Sequence, residues 1–260
     1  MDTKKPAPSW CVIVVPCYNE SGRIQTGQFL HFINHQDNIR LLFVNDGSKD
    51  YTIRILNGMH ESVPDLIQVL DLKQNVGKAE AVRAGMLAAI QSDDVASIGF
   101  WDADLATPLD TIPEFLTRLA VNTRLDMVFG SRVRLLGHQV QRRAVRHYLG
   151  RVFASVVSVV LRLPVYDTQC GAKLFRVTPG LAHVLKDKFH SRWVFDVEIL
   201  ARYIALHRGN TSYLYESVYE HPLHSWEDVA GSKVSPSDFF KAFFEVLLIY
   251  RKYLWHRDKV

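Results

Sequence analysis

The first half of the chain repeats one pattern: a short, uninterrupted apolar run, a polar loop, then a helix-forming stretch. Trp10 to Val15 is the first run; Pro16 ends it, and the loop through Gly22 leads into a helix from about Ile24 to Ile33. Arg40 to Asn45 is the second, followed by Asp46-Gly47-Ser48-Lys49-Asp50 and a helix through about Met59. Ile67 to Asp71 predicts a third strand, and Ala79 to Ile90, rich in Ala, Glu, Met and Leu, a strong helix. Ser97 to Trp101, a helix from about Thr111 to Ala120, and a strand and turn over Met127 to Arg132 continue the series. Runs without polar interruption suit strands buried on both faces, as in a parallel sheet covered by helices. The pattern therefore predicts an α/β fold with a mostly parallel central sheet flanked by helices.

From Val133 onward the alternation stops. Tyr148 to Leu163 is apolar with helical period but is interrupted by Arg151 and Arg162, so it reads as a core helix or an interfacial one. Asp167 to Arg176 leads through a polar turn into a short strand, and a helix begins within Arg192 to Leu200 and reaches about His207. Tyr213 to Tyr219 reads as a strand, Ser225 to Ser237 as a polar loop and Asp238 to His256 as a long helix. That last helix sets Phe and Leu residues among Lys241, Arg251, Lys252 and Arg257, so packing on the core comes first and membrane or dimer contact second. The expected organisation is a tail over 1–9, a main domain over 10–237 and a C-terminal amphipathic helix over 238–260.

With 260 residues, 48% of them hydrophobic, the chain can bury a sizeable core as one domain or a domain with an appendage. A net charge of +4 is mildly basic and does not by itself indicate nucleic acid as a partner. Three cysteines, Cys11, Cys17 and Cys170, lack zinc-site or disulfide-framework spacing, which points to a reducing cytosol. Met1 to Pro6 lacks the apolar core of a signal peptide, and no apolar run reaches the roughly 18 residues of a membrane span. A soluble or peripheral protein is expected.

Candidate chemistry lies in the polar loops. Ligands of open α/β sheets bind outside the carboxyl ends of the strands, where the loops after the first two strands fall. Trp101-Asp102-Ala103-Asp104 adds two carboxylates separated by one residue. If the strand continues through them, they project to the same side and could share a hard cation such as Mg2+ or Mn2+, completed by phosphate oxygens and water. A solvated acidic turn is the plainer alternative. Gly77-Lys78 is not a Walker motif, since no Gly stands five residues before Gly77 and no Ser or Thr follows Lys78. His221 and His224 read as structural or solvated.

Four motifs in order, Val12 to Glu20, Val44-Asn45-Asp46-Gly47-Ser48, Asn75-Val76-Gly77-Lys78 and Asp102-Ala103-Asp104, resemble the GT-A glycosyltransferases of family 2. Trp101 to Pro108, Asp167 to Phe175, Arg192 to Glu198 and Gly231-Ser232-Lys233-Val234 resemble the dolichyl-phosphate β-glucosyltransferase branch, so the likeness covers roughly residues 10–235. Two departures are the missing N-terminal membrane anchor common in eukaryotic members and Ala172, where an aromatic is usual.

The resemblance implies a Rossmann-like GT-A fold with acceptor-side helices toward the C-terminus. It implies that Pro16, Tyr18, Asn19 and Glu20 frame a nucleotide base and ribose, and that Asp46 accepts a hydrogen bond from the uracil imide. Gly47, Ser48, Gly77 and Ala103 join the donor site, Asp104 with Asp102 holds Mg2+ or Mn2+, Lys78 adds a positive charge, and Lys233 closes over the pyrophosphate. Arg132, Arg134, Arg142, Arg143 and Arg146 cradle the acceptor phosphate. Asp167 and Asp196 orient the nucleophile or sugar hydroxyls, or act as base toward an alcohol acceptor. Gln169 binds a sugar hydroxyl and Trp193 stacks on a sugar face. Plainer readings stand beside several of these: Glu20 as a helix-start residue, Asp196 as a helix cap, Lys78 as a solvated lysine and Trp193 as core.

The implied activity is metal-dependent, inverting transfer of glucose from UDP-glucose to a polyprenyl phosphate, by a peripheral protein at the cytoplasmic face of a membrane. Its competitors are transfer of N-acetylglucosamine or mannose to a soluble glycan or protein, and a nucleotide-sugar-binding regulatory protein without turnover. A dinucleotide-binding oxidoreductase is disfavoured, because Pro-Cys-Tyr-Asn-Glu follows the first strand where a Gly-x-Gly turn would be needed.

Overall fold

The computed structural model describes residues 9–141, 144–228 and 236–255. The predicted strands and helices of the first half are all present: β1 (Trp10–Cys17), α1 (Thr26–Asn34), β2 (Ile39–Asp46), α2 (Thr52–Ser62), β3 (Ile67–Leu72), α3 (Lys78–Ala89), β4 (Val95–Trp101), α4 (Thr111–Val121) and β5 (Met127–Ser131). The second half adds β6 (Gln139–Gln141), α5 (Ala144–Leu161), β7 (Ala172–Arg176), α6 (Pro179–Leu185), α7 (Phe195–Leu206), α8 (Ser212–Ser217), β8 (Val218–Pro222), β9 (Ser225–Glu227) and α9 (Pro236–Ile249).

Seven described strands form the central sheet in the order β3-β2-β1-β4-β7-β5-β8. Its pairings are parallel except those of β7, which runs antiparallel to both β4 and β5. Alternation along β1 explains the two cores. Val12 and Val14 face a layer containing α3, α5, α6, α7 and α9, whereas Ile13 and Val15 face the layer of α1, α2 and α4. Short β6 and β9 pair in a separate ribbon.

Several sequence expectations change. The stretch Tyr213 to Tyr219 is not one strand: Asn210 Oδ1 accepts the Ser212 N–H at 2.8 Å, Tyr213 stacks on His207 at 4.0 Å, and a helical turn runs to Ser217 before β8 begins. Helix α6 was signalled by Thr178-Pro179, since Thr178 Oγ1 accepts the Leu181 N–H at 3.1 Å and proline suits the first helical position. The C-terminal helix is not continuous α-helix, because α9 passes into a π-helical turn over Tyr250–Leu254. Val246, Ile249 and Leu254 are buried on the core and Phe243 packs edge-on against Phe153 of α5, while Phe244, Leu247, Leu248 and Trp255 are exposed. Among the described residues no helix is long and apolar enough to cross a membrane, and all three cysteines are free and buried.

Glu198 of α7 is fully buried and fixes the loop before that helix. Its Oε2 accepts the His190 and Ser191 N–H groups at 2.9 and 3.0 Å, while Oε1 accepts from Arg202 at 2.7 Å and from the Tyr253 hydroxyl at 3.0 Å. Burial pushes this carboxyl up, but the Ser191 amide and Arg202 outweigh it, so its pKa lies below the ordinary 4.5. The stability it contributes is present above the ordinary value and is lost as pH falls through the lower folded-state value. Urea titrations should therefore show Glu198→Gln less stable than the parent near neutral pH, and losing less stability on acidification below about pH 5. Equal acid sensitivity of the two proteins would contradict this account.

Helix α3 approaches the sheet at Gly85, where an added Cβ would lie 2.5 Å from Val14 Cγ1 and 2.8 Å from Val44 Cγ2. Both valines are fully buried and stiff about χ1. Gly85→Ala should lower stability by about 1 kcal/mol net, overpacking of roughly 2–3 kcal/mol outweighing a helix-propensity gain of roughly 1 kcal/mol. A denaturation midpoint at or above that of the parent would refute the close approach.

Candidate active site

The loops after β1 and β2 are tied to each other. Asn19, in the left-handed region at φ 51°, donates its N–H to Ser48 Oγ at 3.0 Å and accepts the Lys49 N–H at 2.9 Å. The Glu20 N–H reaches Thr52 Oγ1 at 2.8 Å, and Ser21 bonds Asp50 Oδ2 through its amide and its hydroxyl. Asn19 and Ser48 thus brace the loops. Glu20 is buried and ion-paired with Arg23.

Asp46, at the end of β2, holds the next loop. Its Oδ1 accepts the Val76 N–H at 2.7 Å, and its Oδ2 accepts the Asn75 side-chain amide at 2.9 Å and the Gly77 N–H at 3.0 Å. Gly47 permits this contact: at φ 62° it is left-handed, and a Cβ would lie 2.5 Å from Asn75 N. Gly77, at φ 92°, then starts α3 with Lys78 as its first residue.

Between these loops and the turn after β4 lies a cavity of about 440 Å³. Of the sequence candidates, Pro16, Tyr18, Glu20, Asp46, Gly77, Lys78, Asp102, Ala103, Asp104 and Trp193 line it. Cys17, Arg23, Asn75, Ala81 and Arg192 also line it and were not singled out as site residues. Arg23 stands three residues after Glu20, its only sequence signal, whereas Arg192 opens the Arg192 to Glu198 stretch that carries part of the family resemblance but was given no role of its own.

Strand alternation does not bring the two carboxylates together, because β4 ends at Trp101. A turn presents them instead. The Asp102 N–H donates to Gly171 O at 3.0 Å, Leu105 is left-handed at φ 54° with its N–H on Asp102 O at 3.2 Å, and Asp104 Oδ1 accepts the Ala106 N–H at 3.2 Å. Below the turn the buried Trp101 indole donates to Thr107 O at 2.9 Å.

The charges in this cavity are interlocked. Lys78 Nζ lies 2.5 Å from Asp102 Oδ1. Burial alone would lower the Lys78 pKa, but Asp102 outweighs it, and the ammonium is held above its ordinary range. Burial and then the neighbouring Asp102 charge raise the Asp104 carboxyl. Two hard carboxylates, one balanced by lysine and one in excess, are a donor set that fits Mg2+ or Mn2+. Among the described residues no group of three or more His, Cys, Asp and Glu side chains could hold a metal, so remaining ligands would have to come from a bound phosphate and water.

The acceptor-side expectations are redistributed. Arg132 does not offer an open fork: its Nε and Nη2 donate to the two oxygens of Asp167 at 2.6 and 2.7 Å, and its N–H bonds Oδ2 at 3.1 Å. Burial would depress the Arg132 guanidinium, but Asp167 more than reverses that and raises it. Glu220 in turn accepts the Tyr166 and Asp167 N–H groups. Arg132 and Asp167 therefore form a separate buried pair that does not line the cavity, as is true of Arg134, Gln169, Asn19, Gly47 and Ser48. Asp196, 5% exposed, is paired with Lys173 and also sits off the lining; its pKa is raised by burial, with Lys173 pulling the other way. His221 Nε2 meets Glu114 at 2.9 Å and His224 stacks on His138, in keeping with structural roles. Lys233, Arg142, Arg143 and the side chain of Arg146 lie outside the described residues.

Comparisons with known proteins agree with this geometry. The model of the family described as glycosyl transferase family 2 matches residues 12–185. A dolichyl-phosphate beta-glucosyltransferase of Trichomonas vaginalis is 32% identical, over 96% of this chain and 74% of that protein. The protein of the same name from Drosophila melanogaster is also 32% identical, over 86% and 69%. Among solved structures, glucosyl-3-phosphoglycerate synthase from Mycobacterium tuberculosis in complex with Mn2+ and UDP-glucose superposes with a TM-score of 0.67 at 16% identity, covering 93% of this chain and 79% of that one. The fold is the GT-A fold, and the chain belongs to glycosyltransferase family 2.

Proposed function

We propose that the protein transfers glucose from UDP-glucose to a dolichyl-type polyprenyl phosphate, with inversion and with a divalent cation, at the cytoplasmic face of a membrane. The observation that carries this reading is the Asp102–Asp104 turn, which lines one cavity together with Lys78, ion-paired to Asp102, and Arg192, beside the loops after β1 and β2. The names of the Trichomonas and Drosophila relatives support the sugar and the acceptor. The Mn2+ and UDP-glucose bound to the mycobacterial enzyme support the donor and the cation.

In this reading Pro16, Tyr18 and Glu20 enclose the base and ribose. Asp46 retains lone pairs beyond the bonds it already accepts, so a uracil N–H can add to them. Asp104 and Asp102 hold the cation, which supplies electrophilic support to the departing diphosphate. Lys78 is committed to Asp102 and Arg23 to Glu20. Arg192, by contrast, has neither an ion pair nor a hydrogen bond among the described residues, and its Nε would lie only 3.3 Å from a Cβ on Gly77. It is the guanidinium placed to receive phosphate oxygens.

An acceptor phosphate is ionised near neutral pH and needs no strong base. Arg132–Asp167 and Lys173–Asp196 accordingly serve the site as fixed pairs that shape it rather than as proton acceptors. A single in-line displacement on an α-linked donor yields a β product, the anomer in the relatives' names.

An assay of radiolabelled UDP- and GDP-sugars against dolichyl phosphate in vesicles, with 3-phosphoglycerate and soluble glycans as competing acceptors, should give lipid-linked glucose from UDP-glucose, abolished by EDTA. Metal-dependent UDP binding with no lipid-linked product from any donor would sink the lipid acceptor. Asp104→Ala should lose at least about 100-fold in turnover while retaining the parent's circular dichroism. Arg192→Ala should raise the KM of a phosphate-bearing substrate by about 10-fold or more, in line with loss of a charged hydrogen bond. Unchanged KM values for donor and acceptor would remove Arg192 from phosphate binding.

A further inference from the structure

Lys173 lies in the middle of the sheet, on β7, which runs antiparallel to both its neighbours, opposite Phe100 of β4 and Phe129 of β5. Its side chain is wholly buried, with the ammonium 5.3 and 5.1 Å from the centres of those two rings. A lysine there is unfavourable unless its ammonium is hydrogen-bonded and its charge is balanced. Both conditions are met: Nζ donates to Thr168 O at 2.9 Å and to Cys170 O at 2.5 Å, and it is ion-paired with Asp196, whose Oδ1 lies 2.7 Å away. Two backbone carbonyls and one carboxylate surround the charge.

Two of those acceptors belong to the backbone of the 168–171 loop, which ends against the β4 turn. Gly171 O receives the Asp102 N–H at 3.0 Å. A Cβ on Gly171 would lie 1.9 Å from Asp102 Oδ2, so the Asp102 side chain rests on the bare face of this glycine. Asp102 in turn holds Lys78. The carbonyls of Thr168 and Cys170 repel one another when turned to the same point, and they stay turned there because an ammonium stands between them and a carboxylate.

We infer that Lys173 is a positioning residue for the donor site: by drawing the 168–171 backbone down onto its ammonium, it seats Gly171 under Asp102 and so fixes where the Asp102–Asp104 turn presents its carboxylates. The inference rests on the proposed role of that turn in holding a cation with UDP. Lys173 touches no substrate. Its effect reaches the site through one hydrogen bond and one van der Waals face, and it is specific to the part of nucleotide binding that depends on the cation.

The test is calorimetric titration of the purified full chain with UDP, with and without Mn2+, for the parent, Lys173→Met, Lys173→Gln and Leu56→Ala. Leu56 lies in the opposite core layer, and its truncation supplies a destabilised control. The expected result is that the Mn2+-dependent gain in UDP affinity falls 10-fold or more in a folded Lys173 variant. UDP affinity without metal should stay within twofold of the parent, and the control should keep its full gain. Lys173→Gln can still donate to the loop carbonyls and should lose less than Lys173→Met. A gain retained within twofold in either folded variant overturns the positioning role, as does an equal loss with and without metal. Failure of both variants to fold would assign Lys173 to stability alone. A parent with no Mn2+-dependent gain would instead defeat the donor-site reading, and this inference with it.

Discussion

The cavity depends first on the carboxylate of Asp46. A buried carboxylate must find donors, and this one finds three within a single loop: the Asn75 amide and the backbone N–H groups of Val76 and Gly77. Those bonds fold the β3–α3 connection inward. They also set the start of α3, and hence place Lys78 within 2.5 Å of Asp102. The chain conformation they require is left-handed at Gly47 and at Gly77, where a side chain would be strained or obstructed. One anion thereby organises two loops and a helix terminus without touching the carboxylates it helps to align.

Around that frame the charges are largely paired in advance. Lys78 with Asp102, Arg23 with Glu20, Arg132 with Asp167 and Lys173 with Asp196 each couple a cation to a carboxylate. The first two pairs line the cavity and the last two lie off its lining; pairing lets each set of charges be held away from bulk water at tolerable desolvation cost and locks its geometry. Two groups stand apart: Asp104, whose carboxyl is raised by burial and by Asp102, and Arg192, unpaired among the described residues. An anion with an excess of negative field and a cation unpaired among the described residues line one cavity, and in the proposed reading a metal-bound diphosphate would complement both.

The antiparallel strand β7 links this edge to the rest of the molecule. By entering between β4 and β5 it places the 168–171 loop against the β4 turn, and it carries the lysine that holds that loop. On the other side, Glu198 and Ser191 fasten the segment before α7 to α9 and its π-helical turn, with Ser191 Oγ donating to Glu245 Oε2 at 2.5 Å. Arg192 and Trp193 thus project from a short segment fixed at its base to the C-terminal helix. The apolar side chains of Phe244, Leu247 and Leu248 on α9 remain exposed.

The sequence by itself determined the α/β class, the order of the first nine elements and the identity of most cavity residues. Short continuous apolar runs between polar loops suit central strands buried on both faces, and in a parallel sheet the loops after them gather at one edge. Local pattern did not carry the second half as well. Tyr213 to Tyr219 is aromatic-rich and reads as a strand, yet the Asn210 side chain accepting the Ser212 N–H and stacking on His207 accompany a helical turn in its first part. Sequence singled out Arg132, Asp167 and Asp196 for acceptor-side or catalytic roles, but not the partners that hold them. Only the tertiary structure decided that Arg132 and Asp167 neutralise each other, that Lys173 is buried beside Asp196, and that Arg192 stands over Gly77. The reason is separation along the chain: these contacts join residues from 23 to more than 100 positions apart, and no local periodicity encodes which distant charge a buried charge will meet.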